Sequence, residues 1–411
     1  MAAGARRPAR VFVDLDAIAH NARVLASLVA PARLCAVVKA DAYGHGAVAA
    51  ARAALEGGAS ELAVALVDEG AELRDAGIEA PILVLSEPGA DAMAEVYSYG
   101  LVPTIYSLEG LALARRAARG RRLSRDAGPA PVEIKLDTGM HRVGVDLEGL
   151  ERLAPLLEDC RELELAGLWT HLAVAEETDR EFTARQLERL GIALRLLSSL
   201  GISKPRRVHA ANTAGAIAWP SSRLDMVRCG IGLYGYCPSP AVEAALSSQS
   251  AGGSADDLRP ALSLSAQVSS VRDLKAGEAV SYGLKAPLAA DSRVATVPLG
   301  YGDGIPRSFF TGGGEVLVKG RRRRLAGSVT MDQIMVDCED DATVAPGDEV
   351  VLIGQQGGER LTANDWAGVL DTICYEVVTR IGPRVPRSYV RTGSAPRGEA
   401  ARVGQSAGRG R

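Results

Sequence analysis

Several features are scarce in this 411-residue sequence. Aromatic residues make up only 4% of it, and only six of its 47 basic residues are lysine. It contains no run of about 18 consecutive apolar residues, the length that a membrane-spanning helix needs. The formal net charge of −3 leaves no large excess of either sign. We therefore expect neither a nucleic-acid partner nor a membrane surface, and the length allows two domains.

Cysteine is also sparse, and the six residues do not have the spacing of a disulfide framework. The six cysteines form no C-x-x-C pair, and most lie inside apolar runs. This pattern favours buried thiols in a reducing compartment over disulfides or a zinc site. The first ten residues carry positive charge, but no apolar stretch of signal-peptide length follows them. The sequence thus predicts a cytoplasmic enzyme without a metal.

Short apolar runs alternate with longer helical patterns between residues 11 and 240, where alanine- and leucine-rich segments carry charges at helical spacing. Asp16 and Ser107 are predicted to cap two of these helices. Eight βα units predict a closed (β/α)8 TIM-type barrel with its active site at the strand C-termini, and an open doubly wound sheet is the alternative. The predicted strands are Leu34–Ala40, Glu61–Leu66, Pro81–Ser86, Leu101–Tyr106, Val132–Asp137, Leu163–Leu172, Arg207–Asn212 and Met226–Leu233.

A different pattern begins after the barrel segment. Residues 261–391 consist of short alternating runs separated by glycine and proline turns, which predicts a mainly β second domain. The serine- and glycine-rich join at 241–260 is predicted to be a mobile linker, and the polar tail at 392–411 to be disordered. The basic run Arg321–Arg324 is predicted to be a solvated hairpin turn.

One predicted barrel strand ends in a lysine. Residues 36–46 read AVVKADAYGHG, so Lys39 emerges from an apolar run into a glycine-rich turn. Poor solvation should lower the pKa of this amine and make it a nucleophile able to react with a carbonyl group. Tyr43 offers a hydroxyl group to an anion nearby, and Gly44 and Gly46 free the backbone to turn.

Further polar residues lie at the predicted strand ends, which indicates a shared pocket. Arg228 stands out because an arginine within an apolar strand is costly to bury and needs a partner. Thr213 follows the seventh predicted strand, and Gly230 and Ile231 lie toward the end of the eighth, the region of a barrel that commonly binds phosphate. A helix cap followed by a small-residue turn explains each of these three residues equally well.

Motifs in both predicted domains resemble those of alanine racemases, a family dependent on pyridoxal 5'-phosphate. The resemblance spans roughly residues 10 to 391. It is carried by the lysine block at 36–46, by EIKLDTGMHRVG at 133–144, by VSYG at 280–283, by PLGYGDG at 298–304 and by MDQ at 331–333. It implies interconversion of L- and D-alanine, which supplies D-alanine for peptidoglycan, with two bases on opposite faces of the substrate.

The resemblance also implies residue roles. Lys39 would bind the cofactor and act as one base, and Tyr282 of the second domain would be the other. Arg228 would face the cofactor ring nitrogen, with His171 bracing it. Lys135 matches a lysine that many members carry in carbamylated form. The remaining implied contacts are Arg142, Tyr301, Met331 and Asp332 to the substrate, and Tyr43, Asn212, Thr213, Gly230, Ile231 and Tyr375 to the cofactor.

In this family the barrel of one subunit meets the β domain of another, so the resemblance implies a homodimer with shared active sites. A racemase of serine or of broad specificity on the same fold stays open. A decarboxylase of the same plan would typically carry a Cys-Asp pair, which this chain lacks; Cys338-Glu339 is the nearest approach. A non-enzymatic pyridoxal phosphate carrier built on the barrel alone would have no second domain.

Overall fold

Eight parallel strands close into a barrel in the first part of the chain. The computed structural model describes residues 7–121, 128–179, 181–249 and 257–391. Each barrel strand pairs with the next along the chain, and the last pairs with the first. After an initial strand β1 (Ala9–Asp14), the barrel strands are β2 (Arg33–Val37), β3 (Glu61–Val64), β4 (Ile82–Val84), β5 (Val102–Ile105), β6 (Ala130–Lys135), β7 (Leu163–Trp169), β8 (Arg207–His209) and β9 (Met226–Cys229). The predicted (β/α)8 barrel is confirmed.

Helices follow the barrel strands, as the alanine- and leucine-rich segments predict. Ser107 accepts a hydrogen bond from the Gly110 N–H (2.8 Å) and caps its helix as predicted. The first helix, by contrast, is capped by Asp14, which accepts from the N–H groups of Asp16 and Ala17. The helices span Leu15–Val29, Ala47–Glu56, Val67–Asp75, Ala90–Val96, Leu108–Arg121, Leu147–Glu158, Phe182–Ser199, Thr213–Ala218 and Pro240–Gln249.

The second part of the chain is mainly β. Its strands are β10 (Leu262–Gln267), β11 (Ser270–Leu274), β12 (Ser292–Val297), β13 (Glu315–Val318), β14 (Arg321–Arg324), β15 (Ile334–Asp337), β16 (Glu349–Gln356), β17 (Glu359–Leu361) and β18 (Arg387–Val390). One sheet has the order β14-β13-β16-β10-β1-β18, and a second has the order β11-β12-β15. Short helices span Ser308–Thr311, Ala363–Leu370 and Cys374–Arg380. Because β1 lies between β10 and β18, the N-terminus is tied into the second domain.

Two predictions for this region need correction. The join at 241–260 is not wholly irregular, because Pro240–Gln249 forms a helix that buries Val242 and Leu246. The basic run is strand β14 rather than a turn, and its Arg323 side chain is buried against Glu339. The predicted tail at 392–411 lies outside the described residues. Among the described helices, none has the length and apolar character needed to cross a membrane.

Candidate active site

A cavity of about 490 Å³ opens at the C-terminal ends of the barrel strands. Eleven of the residues singled out in the sequence line it: Lys39, Tyr43, Lys135, Arg142, His171, Asn212, Thr213, Arg228, Gly230, Ile231 and Tyr375. Four others, Tyr282, Tyr301, Met331 and Asp332, belong to the β domain and do not line it. The structure therefore brings the barrel residues together with Tyr375 of the β domain and leaves the predicted second base apart from them.

The turn that carries Lys39 is left-handed. Strand β2 ends two residues before the lysine, and the next four residues, Ala40 to Tyr43, have φ values of 52° to 55°. For residues other than glycine this conformation costs roughly 1–2 kcal/mol each, so a run of four persists only where its surroundings hold it. Strain of this kind, adjacent to a half-buried lysine, indicates that the backbone is kept in this conformation for its geometry.

Contacts from both domains hold this turn. Glu69 accepts a hydrogen bond from the Ala40 N–H (2.6 Å). From the β domain, Arg387 donates to the Gly44 carbonyl oxygen (3.2 Å). A Cβ atom on Gly44 would lie 2.5 Å from the carbonyl oxygen of Val378, so only glycine permits this approach. The β domain thus supports the lysine turn within the same chain.

The two lysines of the pocket share a positive environment. Burial lowers the pKa of Lys39, and the neighbouring Arg142 lowers it further, partly offset by Glu69. Burial, together with Arg142 and then Arg228, lowers the pKa of Lys135 to about 7. Both amines therefore have a larger neutral fraction, and greater nucleophilicity, than a solvated lysine at the same pH.

Arg228 lies at the centre of a buried hydrogen-bonded group. Its guanidinium donates to His209 Nδ1 (2.6 Å) and to the Thr170 carbonyl oxygen (2.8 Å), and it lies 3.3 Å from His171 Nδ1. The Trp169 ring packs against it, 4.6 Å from ring centroid to Cζ. Burial lowers the pKa of Arg228 to about 10, so the guanidinium stays protonated at neutral pH. Burial lowers the pKa of His171 well below its usual value, and the charge of Arg228 lowers it further. The His171 imidazole is therefore neutral.

A carboxylate in the barrel interior completes this group. Since Arg228 donates to Nδ1 of His209, the imidazole must carry its hydrogen on Nε2, which lies 2.8 Å from the buried carboxylate of Glu133. The same carboxylate lies 2.9 Å from Arg207. Burial opposes its ionisation, but His209 and Arg207 outweigh that effect and keep the pKa of Glu133 below its ordinary value.

The β-domain residues form a cluster of their own on the surface. Tyr282 is 74% exposed, Met331 53% and Tyr301 44%. The Tyr301 N–H donates to the Thr330 carbonyl oxygen (2.9 Å), one residue before Met331. Asp332 pairs with Arg384 at 2.6 Å. A tyrosine and a methionine exposed to this extent, beside charged residues, form a face that nothing in the described part of the chain covers.

Family models of the alanine racemase N-terminal and C-terminal domains match residues 13–238 and 261–389. This chain belongs to the alanine racemase family. It is 44% identical over 384 residues to alanine racemase of Symbiobacterium thermophilum, covering 93% of this chain and 97% of that protein. A crystal structure of alanine racemase from Bacillus anthracis with bound L-Ala-P superposes with a TM-score of 0.87 at 35% identity, covering 96% and 98% of the two chains. A histidine racemase from Leuconostoc mesenteroides shares the fold at a TM-score of 0.81 and 29% identity, covering 94% and 99%.

Family membership removes two of the alternatives. The match to the C-terminal domain model excludes a protein built on the barrel alone, and the family that both domain models show is that of the alanine racemases and not of the decarboxylases. Alanine is the substrate named for the relatives at 42–44% identity, whereas the histidine racemase shares the fold at 29% identity.

The predicted anion site differs from expectation in detail. Thr213 Oγ1 accepts hydrogen bonds from the N–H groups of Gly230 (3.2 Å) and Gly232 (3.3 Å), so the Gly230 N–H is directed at threonine here. Asn212 caps the following helix by accepting from the Gly215 N–H (2.9 Å). The hydroxyl hydrogen of Thr213 remains a donor, and Tyr43 adds a second hydroxyl group beside it in the cavity lining.

The glycines after β9 have the spacing of a dinucleotide-binding loop, G-x-G-x-x-G, over residues 230–235. They open a 3₁₀ turn, Ile231–Tyr234, rather than the long helix that such a loop requires. A Cβ atom on Gly230 would lie 2.4 Å from the Tyr43 hydroxyl oxygen. This glycine is therefore explained by the approach of Tyr43 and not by a pyrophosphate group.

Sequence reasoning did not recognise Glu133 and His209 as interacting residues. The sequence does contain a signal for them, because two apolar strands each carry a pair of titratable residues two positions apart. These pairs are Glu133 with Lys135 and Arg207 with His209. Residues two apart in a strand point to the same side, here the barrel interior. Their partners come from neighbouring strands, so only the closed barrel identifies the pairs.

Proposed function

We propose that this chain interconverts L-alanine and D-alanine in the cytoplasm, uses pyridoxal 5'-phosphate and supplies D-alanine for peptidoglycan. The observation that carries the proposal is the pocket itself. A lysine of lowered pKa on a strained turn faces the same cavity as a buried, protonated arginine. The six free cysteines, five of them buried, are in keeping with a reducing compartment.

The pocket residues fit the cofactor. A cavity of about 490 Å³ suits a small phosphorylated ring with an amino acid. Lys39 supplies an amine for the aldehyde, and the hydroxyl groups of Tyr43 and Thr213 supply donors for the phosphate. When bound, pyridoxal phosphate withdraws electrons and stabilises negative charge at the substrate Cα. Arg228 retains its proton and offers only donors, so it would keep the ring nitrogen unprotonated and disfavour transamination.

Racemisation needs a proton removed from one face of Cα and one delivered to the other. We assign these transfers to the Lys39 amine and the Tyr282 phenol. A phenol normally loses its proton only at about pH 10, so a tyrosine that acts as a base at neutral pH needs positive charge nearby. Since His171 is held neutral, that charge comes from Arg228, and His171 acts as a hydrogen-bonding neighbour.

We also propose a homodimer whose active sites combine the barrel of one chain with the β domain of the other. Tyr282, Tyr301 and Met331 lie exposed and outside the cavity of their own chain, which supports this arrangement. The Arg142 guanidinium and the backbone N–H groups of the β-domain residues Met331 and Asp332 would then hold the substrate carboxylate between them.

Lys135 is proposed to be carbamylated. With a pKa of about 7, roughly half of this amine is neutral near pH 7 and able to add to carbon dioxide, forming an N-carboxylate and releasing one proton. The product carries a negative charge and would attract Arg142 instead of repelling it. Growth or incubation with ¹³C-bicarbonate should give a carbamate carbon resonance that is absent in Lys135→Ala.

The test of the function is a visible spectrum combined with a chiral assay on the purified protein. Wild type should exchange the enantiomers of alanine and show a cofactor absorbance band. Lys39→Ala should lose both, and Tyr282→Phe should keep the band but lose racemisation. Lys204→Ala, which removes an exposed lysine, is the control. Full racemase activity in Tyr282→Phe would remove the second base from the mechanism.

The shared site has its own test. Mixed dimers of Lys39→Ala and Tyr282→Phe contain one site with both defects and one intact site. Random reassociation should therefore restore about a quarter of wild-type activity from two inactive proteins. If both bases came from one chain, every site would stay defective and the mixture would stay inactive.

A further inference from the structure

Tyr282 lies on a strained loop with little packing of its own. The loop runs from Ala279 to Pro287, which are joined by an antiparallel bridge. Two residues in it other than glycine have left-handed backbones, Ser281 (φ 70°) and Leu284 (φ 44°). Since the Tyr282 side chain is largely exposed, side-chain packing within this chain does not fix its direction. The backbone must do so, and strained backbone needs external support.

Two serines provide that support by bonding reciprocally. Ser281 Oγ donates to the carbonyl oxygen of Ser328 (2.5 Å), and Ser328 Oγ donates to the carbonyl oxygen of Tyr282 (3.2 Å). The two bonds thus anchor the side chain of the residue before Tyr282 and the peptide carbonyl group that follows the Tyr282 Cα. A Cβ atom on Gly327 would lie 2.3 Å from the Val280 carbonyl oxygen, so glycine is what lets the two segments approach.

The segment that holds the loop also carries the predicted substrate residues. Thr330 accepts from the Tyr301 N–H through its carbonyl oxygen, and Met331 accepts from the Gly302 N–H in the same way (2.9 Å each). The Thr330 side chain closes the segment by bonding to the backbone of Gln333. Ser328 therefore links the Tyr282 loop to a rigid unit that includes Met331 and the Tyr301 turn.

We propose that Ser281 and Ser328 form a clasp that positions the phenol of Tyr282 for proton transfer. This inference rests on the proposed function, in which Tyr282 is the second base. The phenol oxygen lies at the far end of a long rigid side chain, so a small rotation of the loop displaces it considerably. A displacement of about 1 Å can lower a rate on the order of a hundredfold. Neither serine needs to contact the substrate to have this effect.

The kinetic test compares Ser328→Ala and Ser281→Ala with Ser269→Ala. Ser269 lies in the same domain and also donates to a backbone carbonyl oxygen (Thr296, 3.0 Å), but away from the Tyr282 loop. We expect kcat to fall roughly tenfold to a hundredfold in the clasp variants and to stay unchanged in the control. Each enzyme is assayed with α-deuterated L-alanine and with α-deuterated D-alanine.

The isotope effects separate positioning from general damage. If the phenol is misplaced, its proton transfer becomes more rate-limiting. The isotope effect should rise for the enantiomer whose α-hydrogen faces Tyr282 and fall toward unity for the other. General damage to the fold or the cofactor site lowers both rates and changes both isotope effects alike. Equal changes for both enantiomers, or none, would overturn the clasp.

A readout independent of activity is backbone hydrogen exchange of residues 279–287. Exchange there should quicken in Ser328→Ala relative to wild type and stay unchanged in Ser269→Ala. Unaltered exchange in Ser328→Ala would also overturn the clasp. If wild type failed to exchange the alanine enantiomers, the proposed function would be wrong, and hydrogen exchange would still decide whether the clasp holds the loop.

Discussion

Acid should destabilise this protein through a buried histidine next to the lysine turn. His45 is fully buried, with Nδ1 3.0 Å from the carbonyl oxygens of both Ala42 and Tyr43, and its ring stacks on Tyr234 at 4.4 Å between centroids. Nδ1 must donate to these carbonyl oxygens, so the neutral imidazole carries its hydrogen there. Nε2 is buried without a hydrogen-bond partner. Protonation would place an unpaired charge at that nitrogen.

The magnitude follows from the pKa. Burial lowers the pKa of His45 from an ordinary value of 6.5 to about 4, although the two carbonyl contacts oppose this. Between these pH values the unfolded chain binds the proton more readily than the folded one does. The stability that neutral His45 contributes is therefore complete above pH 6.5 and is lost as the pH falls toward 4. At 1.36 kcal/mol per pH unit the loss is about 3 kcal/mol.

The assay is urea unfolding at a series of pH values and one fixed protein concentration, with wild type and His45→Asn in parallel. Burial also depresses the pKa values of His171 and His209, so wild type contains their contributions as well. The free energy of unfolding is plotted against pH for each protein, and the difference between the two slopes gives the contribution of His45. We expect the slope to be smaller for the variant between pH 6.5 and 4. Identical slopes, or an NMR titration of His45 near pH 6.5, would refute the reasoning.

Two further predictions concern the barrel. Gly230→Ala places a Cβ atom 2.4 Å from the Tyr43 hydroxyl oxygen, so the phenol must move. The dissociation constant for pyridoxal phosphate, measured by absorbance titration, should therefore rise. An unchanged dissociation constant would contradict a phosphate-binding role for Tyr43. Glu133→Gln removes the negative charge that both Arg207 and His209 contact in the barrel interior. The free energy of unfolding should therefore fall by about 3 kcal/mol. An unchanged midpoint of urea unfolding would contradict this prediction.

The barrel strands could be predicted because each is a short apolar run, but their C-terminal ends could not. The first predicted strand, Leu34–Ala40, extends past the observed end at Val37, because the backbone turns left-handed at Ala40. The last, Met226–Leu233, stops at Cys229, where Gly230 opens a turn. In both places apolar residues continue beyond the strand, since the loops that line the pocket are themselves buried. Hydrophobicity therefore does not mark the boundary.

Contacts between strands were beyond sequence reasoning for a different reason. The position of Arg228 within an apolar strand predicts that it has a buried partner. That the partners are His209 and, through it, Glu133 depends on the order of β6, β7, β8 and β9 in the closed barrel. Arg323 shows the same limit. Four successive arginines indicate solvent exposure, yet strand alternation turns one of them inward, where it meets Glu339.

The β domain has two separate relations to catalysis, and a genetic test can separate them. Arg387 donates to the Gly44 carbonyl oxygen of its own chain, so its loss should disturb the lysine turn of that chain, whereas Tyr282 is proposed to serve the partner. Arg387→Ala is thus a β-domain change that should behave like a barrel change. Mixed with Tyr282→Phe it should restore one intact site per mixed dimer, and mixed with Lys39→Ala it should restore none. Complementation of Lys39→Ala by Arg387→Ala would show that the arginine acts across the interface instead of within its chain.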